Sequence, residues 1–288
     1  MTADADKAVK LDEEKNALQQ EIEALRQKRN ANAQAMKGKL PPEERNSLIE
    51  EGKELKEKIS EVEKLFAEKD TAYNEIMLEI PNMAHPDVPV GKEEKDNTEI
   101  KRVGQPPSFS FSPKDHVEIG EALDLIDFET AAKVSGPKFY YLKNEAVLLE
   151  YALIRYVMDI LLKKGFTLIK TPDVAKEEIA AGIGFNPRGD ESNIYTIEGT
   201  GACLVGTAEI TLGGYHAGKI LDASELPIKM AGISHCFRRE AGAAGKYSRG
   251  LYRVHQFTKV EMFVYCEPEQ SESFHHHILA VEEEIFQG

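Results

Sequence analysis

The sequence predicts an α+β protein in which a long helical hairpin precedes a domain of mixed helices and strands. Residues 4–80 are nearly free of glycine and rich in Ala, Glu, Lys, Gln and Leu, as helices are. Residues 81–113 contain six of the chain's 13 prolines, which indicates a linker. Beyond residue 113, helical and strand patterns follow one another. We therefore predict three parts, 1–80, 81–113 and 114–288.

The hairpin is predicted from the spacing of apolar residues on either side of Pro41-Pro42. The first helix carries its apolar residues at helical spacing: Leu11, Leu18, Ile22 and Leu25. The second repeats them at steps of three and four, with Gly52 and Lys69 at the gaps: Leu48, Leu55, Ile59, Val62, Phe66, Tyr73, Ile76 and Ile80. This heptad pattern predicts a coiled coil. Two helices of about 35 residues form an antiparallel hairpin roughly 50 Å long, which Pro81 ends.

A cluster of positive charge lies near the predicted tip of this hairpin. Five basic residues and no acidic one occur between positions 26 and 39: Arg26, Lys28, Arg29, Lys37 and Lys39. The chain as a whole has a formal net charge of −14, so its overall surface does not attract nucleic acid. Either an ordinary solvated helix face or contacts with RNA phosphates would explain the cluster.

Composition excludes several classes of protein. The three cysteines, Cys203, Cys236 and Cys266, form no CxxC pair, so we expect neither a disulfide framework nor a zinc site. His275–His277 lie in a predicted helix, 271–286, where three consecutive residues cannot share one face, so no metal site is predicted. No apolar run reaches ~18 residues, and the acidic, polar N-terminus leads us to expect no signal peptide. We expect a cytoplasmic protein, or one from the chloroplast or mitochondrial matrix if a transit peptide has been removed.

The first half of the mixed domain contains a strongly apolar helix, predicted at Asn144–Lys164 and ended by Gly165. A strand at Phe166–Lys170 then leads into Thr171-Pro172, and a further helix is predicted at Val174–Ala181. A packed helix and strand would explain this pattern without any function.

The motif GTAE, at 206–209, follows a predicted strand at Ala202–Val205. Standing alone it is weak, because Thr207 capping the start of a helix is the simplest explanation.

Two predicted strands contain the charged and aromatic residues that are most suited to binding a ligand. The first is Ile233–Arg239, the loop Ala241–Gly250 follows, and the second strand is Leu251–Tyr265. One face of the second strand alternates aromatic and charged residues: Phe257, Lys259, Glu261 and Phe263. A face meant only for a core would not carry charges, because buried charges are costly unless paired. Arginine, an aromatic ring and carboxylates together suit an ATP-like ligand.

The sequences FRREAG and RGLYRVHQFTKVEMF resemble motif 2 of the class II aminoacyl-tRNA synthetases. Together with GTAE and the N-terminal hairpin, they resemble the seryl-tRNA synthetases of bacteria and organelles. The resemblance runs from about residue 7 to 288. It implies an antiparallel-sheet catalytic domain and a hairpin that grips tRNA(Ser) through the five basic residues. The helix–strand–proline unit resembles motif 1, which implies a homodimer.

The resemblance also implies roles for individual residues. Arg238 would hold the α-phosphate of ATP, Glu240 the adenine amino group, and Glu261 the serine. The residues expected to bind ATP are Arg238, Arg239, Glu240, Arg253, Val254 and Phe257. The residues expected to bind L-serine are Thr207, Ala208, Glu209, Arg238 and Glu261. Mg²⁺ would bridge the phosphates, with Arg238, Glu240 and Glu261 as the catalytic group.

The sequence departs most from the family after motif 2, because no segment resembling motif 3 follows it. We therefore expect a C-terminally truncated catalytic domain that activates serine weakly. Two alternatives stay open: a different class II synthetase, specific for threonine or proline, and a non-catalytic module for tRNA binding or dimerisation.

Overall fold

The computed structural model describes residues 4–38, 40–185, 193–240 and 249–288. The chain divides into two units, Met1–Ile100 and Lys101–Gly288. The boundary falls inside the predicted linker. The linker range 81–113 holds a single short 3₁₀ turn, Glu94–Asp96, and is otherwise without helix or strand.

The first unit is the predicted hairpin. Helices α1 (Ala5–Ala35) and α2 (Pro42–Met77) run antiparallel, as the interhelical ion pairs Glu14–Lys69 and Arg26–Glu63 show. Five of the predicted seam residues are buried, Leu11, Ile22, Leu55, Ile59 and Val62, and Ala8 is buried with them. The other predicted seam residues are partly exposed. The second helix ends at Met77, so the prediction that Pro81 ends it places the boundary a turn too late.

Gly52, one of the gaps in the heptad pattern, faces a buried polar residue. The side chain of Asn32 is only 6% exposed, and its amide donates a hydrogen bond of 2.8 Å to Glu51. A Cβ at position 52 would lie 3.3 Å from Asn32 Oδ1, closer than most side-chain contacts. Glycine therefore leaves the room that this buried amide needs. A polar group at one seam position favours a single register of a coiled coil.

The second unit contains short helices and three small sheets. Its helices are α3 (His116–Ala122), α4 (Phe128–Val134), α5 (Glu145–Lys163), α6 (Glu177–Gly182), α7 (Ala208–Gly214) and α8 (Ser271–Gln287). Its strands are β1 (Ile126–Asp127), β2 (Tyr141–Leu142), β3 (Thr167–Lys170), β4 (Val174–Lys176), β5 (Tyr195–Ile197), β6 (Ala202–Leu204), β7 (Ile228–Phe237) and β8 (Gln256–Tyr265). The predicted α+β class is confirmed.

The sheet that matters for function has the order β3-β7-β8. Strands β7 and β8 are antiparallel over ten residue pairs, and β3 joins the other edge in parallel. The register places Gly232 opposite Glu261, Ser234 opposite Lys259, and Cys236 opposite Phe257. Paired residues point to the same side of a sheet, so these six positions share one face. The remaining sheets, β1-β2 and β4-β6-β5, are antiparallel.

Helix α7 lies on that face because Gly232 has no side chain. A Cβ at position 232 would lie 2.8 Å from the Cβ of Ala208 and 2.9 Å from Leu212 Cδ1. Ala208, Leu212 and Met230 form a buried cluster between the helix and the sheet. The opposite face packs on α5 and α8 through Leu161, Phe166, Ala231 and Val281. The N-terminus of α7 is thereby placed against the middle of β8.

Of the elements predicted above for the second unit, three have a boundary that differs from the structure by three residues or more. The first motif 2 strand begins at Ile228, five residues before the predicted Ile233. The second begins at Gln256, not at Leu251, because the backbone before it bonds elsewhere: the Leu251 amide donates to His116 Nε2. The predicted helix Val174–Ala181 is wrong in its first turn, since Val174–Lys176 pairs with β6 as a strand. Pairing with a distant segment overrides local helix preference there.

Candidate active site

The N-terminus of α7 and the middle of β8 meet in one hydrogen bond. Thr207 Oγ1 donates to Glu261 Oε2 over 2.7 Å. The same hydroxyl oxygen accepts from the Glu209 amide at 3.2 Å and so caps α7. The side chain of Thr207 is fully buried. The helix cap expected as the simplest explanation of GTAE is therefore present, and it simultaneously orients a carboxylate on the neighbouring sheet.

Arg238 lies next to this pair, at the end of β7. Its Nε donates a 3.1 Å hydrogen bond to the carbonyl oxygen of Gly206, the first residue of GTAE. Its guanidinium carbon lies 5.4 Å from the ring centre of Phe257 and 6.0 Å from that of Phe185. Two rings and a carbonyl oxygen therefore hold this cation, and its Nη1 and Nη2 atoms have no hydrogen-bond acceptor among the described residues, so they can donate to an anion.

A cavity of about 250 Å³ opens beside Arg238. Its lining contains five of the six residues predicted to bind ATP: Arg238, Glu240, Arg253, Val254 and Phe257. Leu251 and Tyr252 complete it. A cation, an aromatic face and a carboxylate thus converge on one space, as a purine nucleotide with phosphates requires.

Glu240 has a strained backbone within this cavity. Its φ of +48° is uncommon for a residue other than glycine. Its carboxylate is 9% exposed and accepts a hydrogen bond of 2.5 Å from Arg253 Nη1. Strain of this kind costs on the order of 1–3 kcal/mol and occurs preferentially at functional sites.

Comparison with known proteins identifies the family. The model for "Seryl-tRNA synthetase N-terminal domain" matches residues 1–84, and that for "tRNA synthetase class II core domain (G, H, P, S and T)" matches residues 195–288. The serine–tRNA ligase of Treponema denticola is 60% identical over the whole chain, which covers 68% of that relative. The chain belongs to the seryl-tRNA synthetase family. It spans about two thirds of the length of such relatives, 67% for those of Treponema pallidum and Borreliella burgdorferi, which are 52% identical.

Solved structures agree with this assignment to the seryl-tRNA synthetases. The Pyrococcus horikoshii enzyme, crystallised with ATP, has a TM-score of 0.83 and 38% identity, with 98% of this chain and 68% of that one covered. The cytoplasmic serine–tRNA ligase of Naegleria fowleri, crystallised with AMP, has a TM-score of 0.75 and 29% identity, with 98% of this chain and 65% of that one covered.

Not every residue predicted from the family lies in the site. The amide of Arg239 donates to Asn193, and its charge lies near Tyr195, outside the cavity lined by Arg238. Ala208 is completely buried between α7 and the sheet, so its side chain is not free to meet a ligand. Glu209 is partly exposed beside Thr207.

The basic cluster of the hairpin is exposed, as expected. Arg26 forms an ion pair of 2.8 Å with Glu63 of α2. Lys28, Arg29 and Lys37 are exposed and form no ion pair with another described residue. The predicted contact at Lys39, and most of the predicted loop Ala241–Gly250, fall outside the described residues.

Sequence reasoning missed several contacts that position the site. Asp173 accepts from the backbone amide of His235 at 3.0 Å and contacts its ring nitrogen Nδ1 at 2.7 Å. Thr258 donates to Glu150 of α5 at 2.8 Å, on the face of the sheet opposite the site. Each joins segments more than 60 residues apart, so no local pattern could have predicted them.

The described residues contain no group of three or more histidine, cysteine or acidic side chains that could hold a metal ion. In the same residues, no helix is long and apolar enough to span a membrane.

Cys236 is buried beneath the site, and its surroundings shift the pKa of its thiol. Its side chain is fully buried opposite Phe257, and burial raises the pKa of its thiol, while Ser234, Lys259 and Arg238 oppose that rise. Burial likewise raises the pKa of the Cys203 thiol. A thiol with a raised pKa keeps its proton to higher pH, so both should be poor nucleophiles at neutral pH.

Iodoacetamide should therefore label the partly exposed Cys266 at least ~10-fold faster than Cys203 or Cys236 at pH 8. Peptide mass spectrometry of timed samples measures the three rates. Protein unfolded in urea is the control and should label all three alike. Labelling of Cys236 as fast as Cys266 in the folded chain would contradict the described packing.

Proposed function

We propose that the chain is a serine–tRNA ligase, which activates L-serine with ATP and transfers the seryl group to tRNA(Ser). The observation that carries this proposal is the continuous site in which Thr207 and Glu261 adjoin Arg238 and the cavity beyond it. The serine–tRNA ligases among its relatives support the same activity.

Serine would bind at the Thr207–Glu261 end of the site. Glu261 Oε2 is already engaged by Thr207, and its second carboxylate oxygen can accept from the substrate's ammonium or hydroxyl group. Glu209, one residue into α7, adds a second negative charge within reach. A site that hydrogen-bonds the hydroxyl group discriminates against alanine, because its polar groups would stay unpaired without that hydroxyl.

ATP would bind in the cavity lined by Glu240, Arg253 and Phe257. The adenine ring would stack on Phe257, and the carboxylate of Glu240 would accept from its amino group. Glu240 accepts a hydrogen bond from Arg253, so ATP binding would separate them and turn Arg253 towards the outer phosphates. Arg238, held between its two neighbouring rings, would contact the α-phosphate.

Activation requires one bond to form and another to break. A carboxylate oxygen of serine attacks the α-phosphorus of ATP, and the bond from that phosphorus to the bridging oxygen of pyrophosphate breaks. The tRNA 3′-terminal hydroxyl group then attacks the seryl carbonyl carbon, and AMP leaves. Phosphoryl transfer of this kind depends on positioning and charge neutralisation. Arg238 would supply positive charge beside the reacting atoms.

Mg²⁺ would enter this site together with ATP. The described residues offer no cluster of metal ligands, and Mg²⁺ commonly binds substrate phosphates and water with one or two protein carboxylates. Its chemical contribution is to neutralise the phosphate charge that develops as pyrophosphate leaves.

The hairpin would bind the tRNA through its basic cluster. Lys28, Arg29 and Lys37 present positive charge to solvent in a chain with net charge −14, which favours a local contact with phosphates.

We also propose a homodimer formed through α5. Five of its apolar residues are more than half exposed: Leu148, Leu149, Tyr151, Leu153 and Leu162. The compartment we propose is the cytoplasm, as the bacterial relatives favour, and the organellar alternative stays a prediction.

The two alternatives make different demands on the site. A non-catalytic RNA-binding module would not need Arg238, Phe257 and Glu261 in one continuous arrangement. A threonyl- or prolyl-specific enzyme would lack the seryl-type N-terminal domain matched at residues 1–84. Both observations favour the seryl-specific enzyme.

An exchange assay tests the activity. Serine should stimulate exchange of radioactive pyrophosphate into ATP, whereas threonine, alanine and proline should not, because only serine satisfies Glu261 and Thr207 together. The quantity that decides is the dependence of the exchange rate on the amino acid. Equal stimulation by threonine or proline, or no stimulation by any of the four, would contradict the proposal.

Charge reversal in the arm tests tRNA binding. The double variant Lys28→Glu, Arg29→Glu should bind tRNA(Ser) at least ~10-fold more weakly, because two phosphate contacts are replaced by repulsion. The slope of log affinity against log salt concentration should also become shallower by about 1.5 to 2. Filter binding at several salt concentrations measures both quantities.

The matched control is Lys7→Glu, Lys10→Glu, which makes the same charge change on the same helix about 30 Å away. Both lysines are exposed. Tight binding by the control and weak binding by the first variant would locate the contact at the basic cluster. Equal weakening of both would mean that only net charge matters, against the proposed contact.

A further inference from the structure

Lys259 lies midway along the face of β8 that carries the site. Alternate residues of a strand share a face and are roughly 6.8 Å apart, so Phe257, Lys259 and Glu261 form a row. Phe257 is proposed to hold adenine and Glu261 the serine. The row therefore places Lys259 at the level where the serine carboxylate meets the α-phosphate.

The surroundings of Lys259 leave it one partner among the described residues. Its ammonium group forms an ion pair with Glu261 Oε2, the same oxygen that accepts from Thr207. Across the sheet lies Ser234, which is fully buried and whose hydroxyl contacts the sulfur of Cys236 at 3.5 Å. The side chain of Lys259 is 29% exposed, so its end can still move.

Substrate binding changes this pairing. Serine brings its own ammonium group to Glu261, so two ammonium groups would then share one carboxylate. Lysine is a point charge on a flexible four-carbon stem, and its end can swing while the stem stays in place. Serine also brings a carboxylate, and ATP an α-phosphate, to the level of Lys259.

We propose that Lys259 is a further catalytic residue of serine activation. Serine's ammonium replaces that of Lys259 on Glu261, and the released ammonium contacts the serine carboxylate and the α-phosphate. This inference rests on the proposed function. Glu261 would thus hold the ammonium group of Lys259 until serine binds, and only then would this ammonium contact the substrates.

The chemistry assigned to Lys259 is electrostatic. As the serine oxygen bonds to the α-phosphorus, additional negative charge builds up on the non-bridging oxygens until pyrophosphate leaves. Lys259 and Arg238 would both donate to these oxygens, and neither gives up a proton. A preorganised donor of this kind is commonly worth about 10²–10³ in rate. In the complex with serine but without ATP, the ion pair between Glu261 and the serine ammonium replaces the ion pair between Glu261 and Lys259. The affinity for serine therefore depends little on Lys259.

Calorimetric titration of two ligands tests this. The first is L-serine, and the second is 5′-O-[N-(L-seryl)sulfamoyl]adenosine, a stable mimic of seryl-adenylate with a negative charge at the junction. Lys259→Met removes the charge and keeps the length of the side chain. It should bind L-serine within ~3-fold of the unaltered chain and the mimic at least ~10-fold more weakly, the loss expected for a hydrogen bond to a charged group. Lys259→Arg should recover most of that loss.

Lys176→Met, which removes an exposed lysine of β4, is the control and should leave both affinities unchanged. Equal loss of affinity for both ligands in Lys259→Met would overturn the inference, because Lys259 would then act only by holding Glu261. Unchanged binding of the mimic would overturn it too. If the unaltered chain binds neither ligand, the proposed function itself fails, and the inference fails with it.

Discussion

The hydrogen bond from Thr207 to Glu261 is the interaction on which the site depends. It joins residues 54 positions apart, and it exists because α7 lies directly on β7 over Gly232. One hydroxyl group both caps the helix and orients the carboxylate, so local helix structure and the ligand site use the same atom. Arg238 is tied to the same segment through the carbonyl of Gly206. A side chain at position 232 would push the helix away and separate all of these groups.

The site holds its charges in internal pairs before any ligand arrives. Glu240 is paired with Arg253, and Glu261 with Lys259. Unpaired buried charges are costly, so such pairs keep a charged, partly buried site stable without its ligands. Each pair joins a residue proposed to bind ATP or serine to a cation that the phosphates or the substrate carboxylate would attract. Substrate binding would then exchange ion pairs within the site, and little charge would have to be newly desolvated.

The sequence predicted the elements that are stabilised by residues close together in the chain, and it failed where an element depends on pairing with a distant segment. The hairpin and α5 followed from periodicity, because helices are stabilised by contacts three and four residues apart. Strand β4 did not, since its residues become a strand only by pairing with β6, about 30 residues later. In the site, motif resemblance located Arg238, Glu261 and the cavity residues. It also included Arg239, which does not line that cavity. A motif match aligns residues along the sequence, but it does not specify where each side chain lies.

The most direct test of the central claim compares L-serine affinity in two variants of Thr207. Thr207→Ser keeps the hydroxyl group, and Thr207→Val keeps the shape without it. The account predicts that the serine variant binds L-serine within ~3-fold of the unaltered chain. It predicts that the valine variant, if still folded by circular dichroism, binds at least ~10-fold more weakly, as loss of a hydrogen bond to a carboxylate implies. Equal affinities of the two folded variants would contradict it.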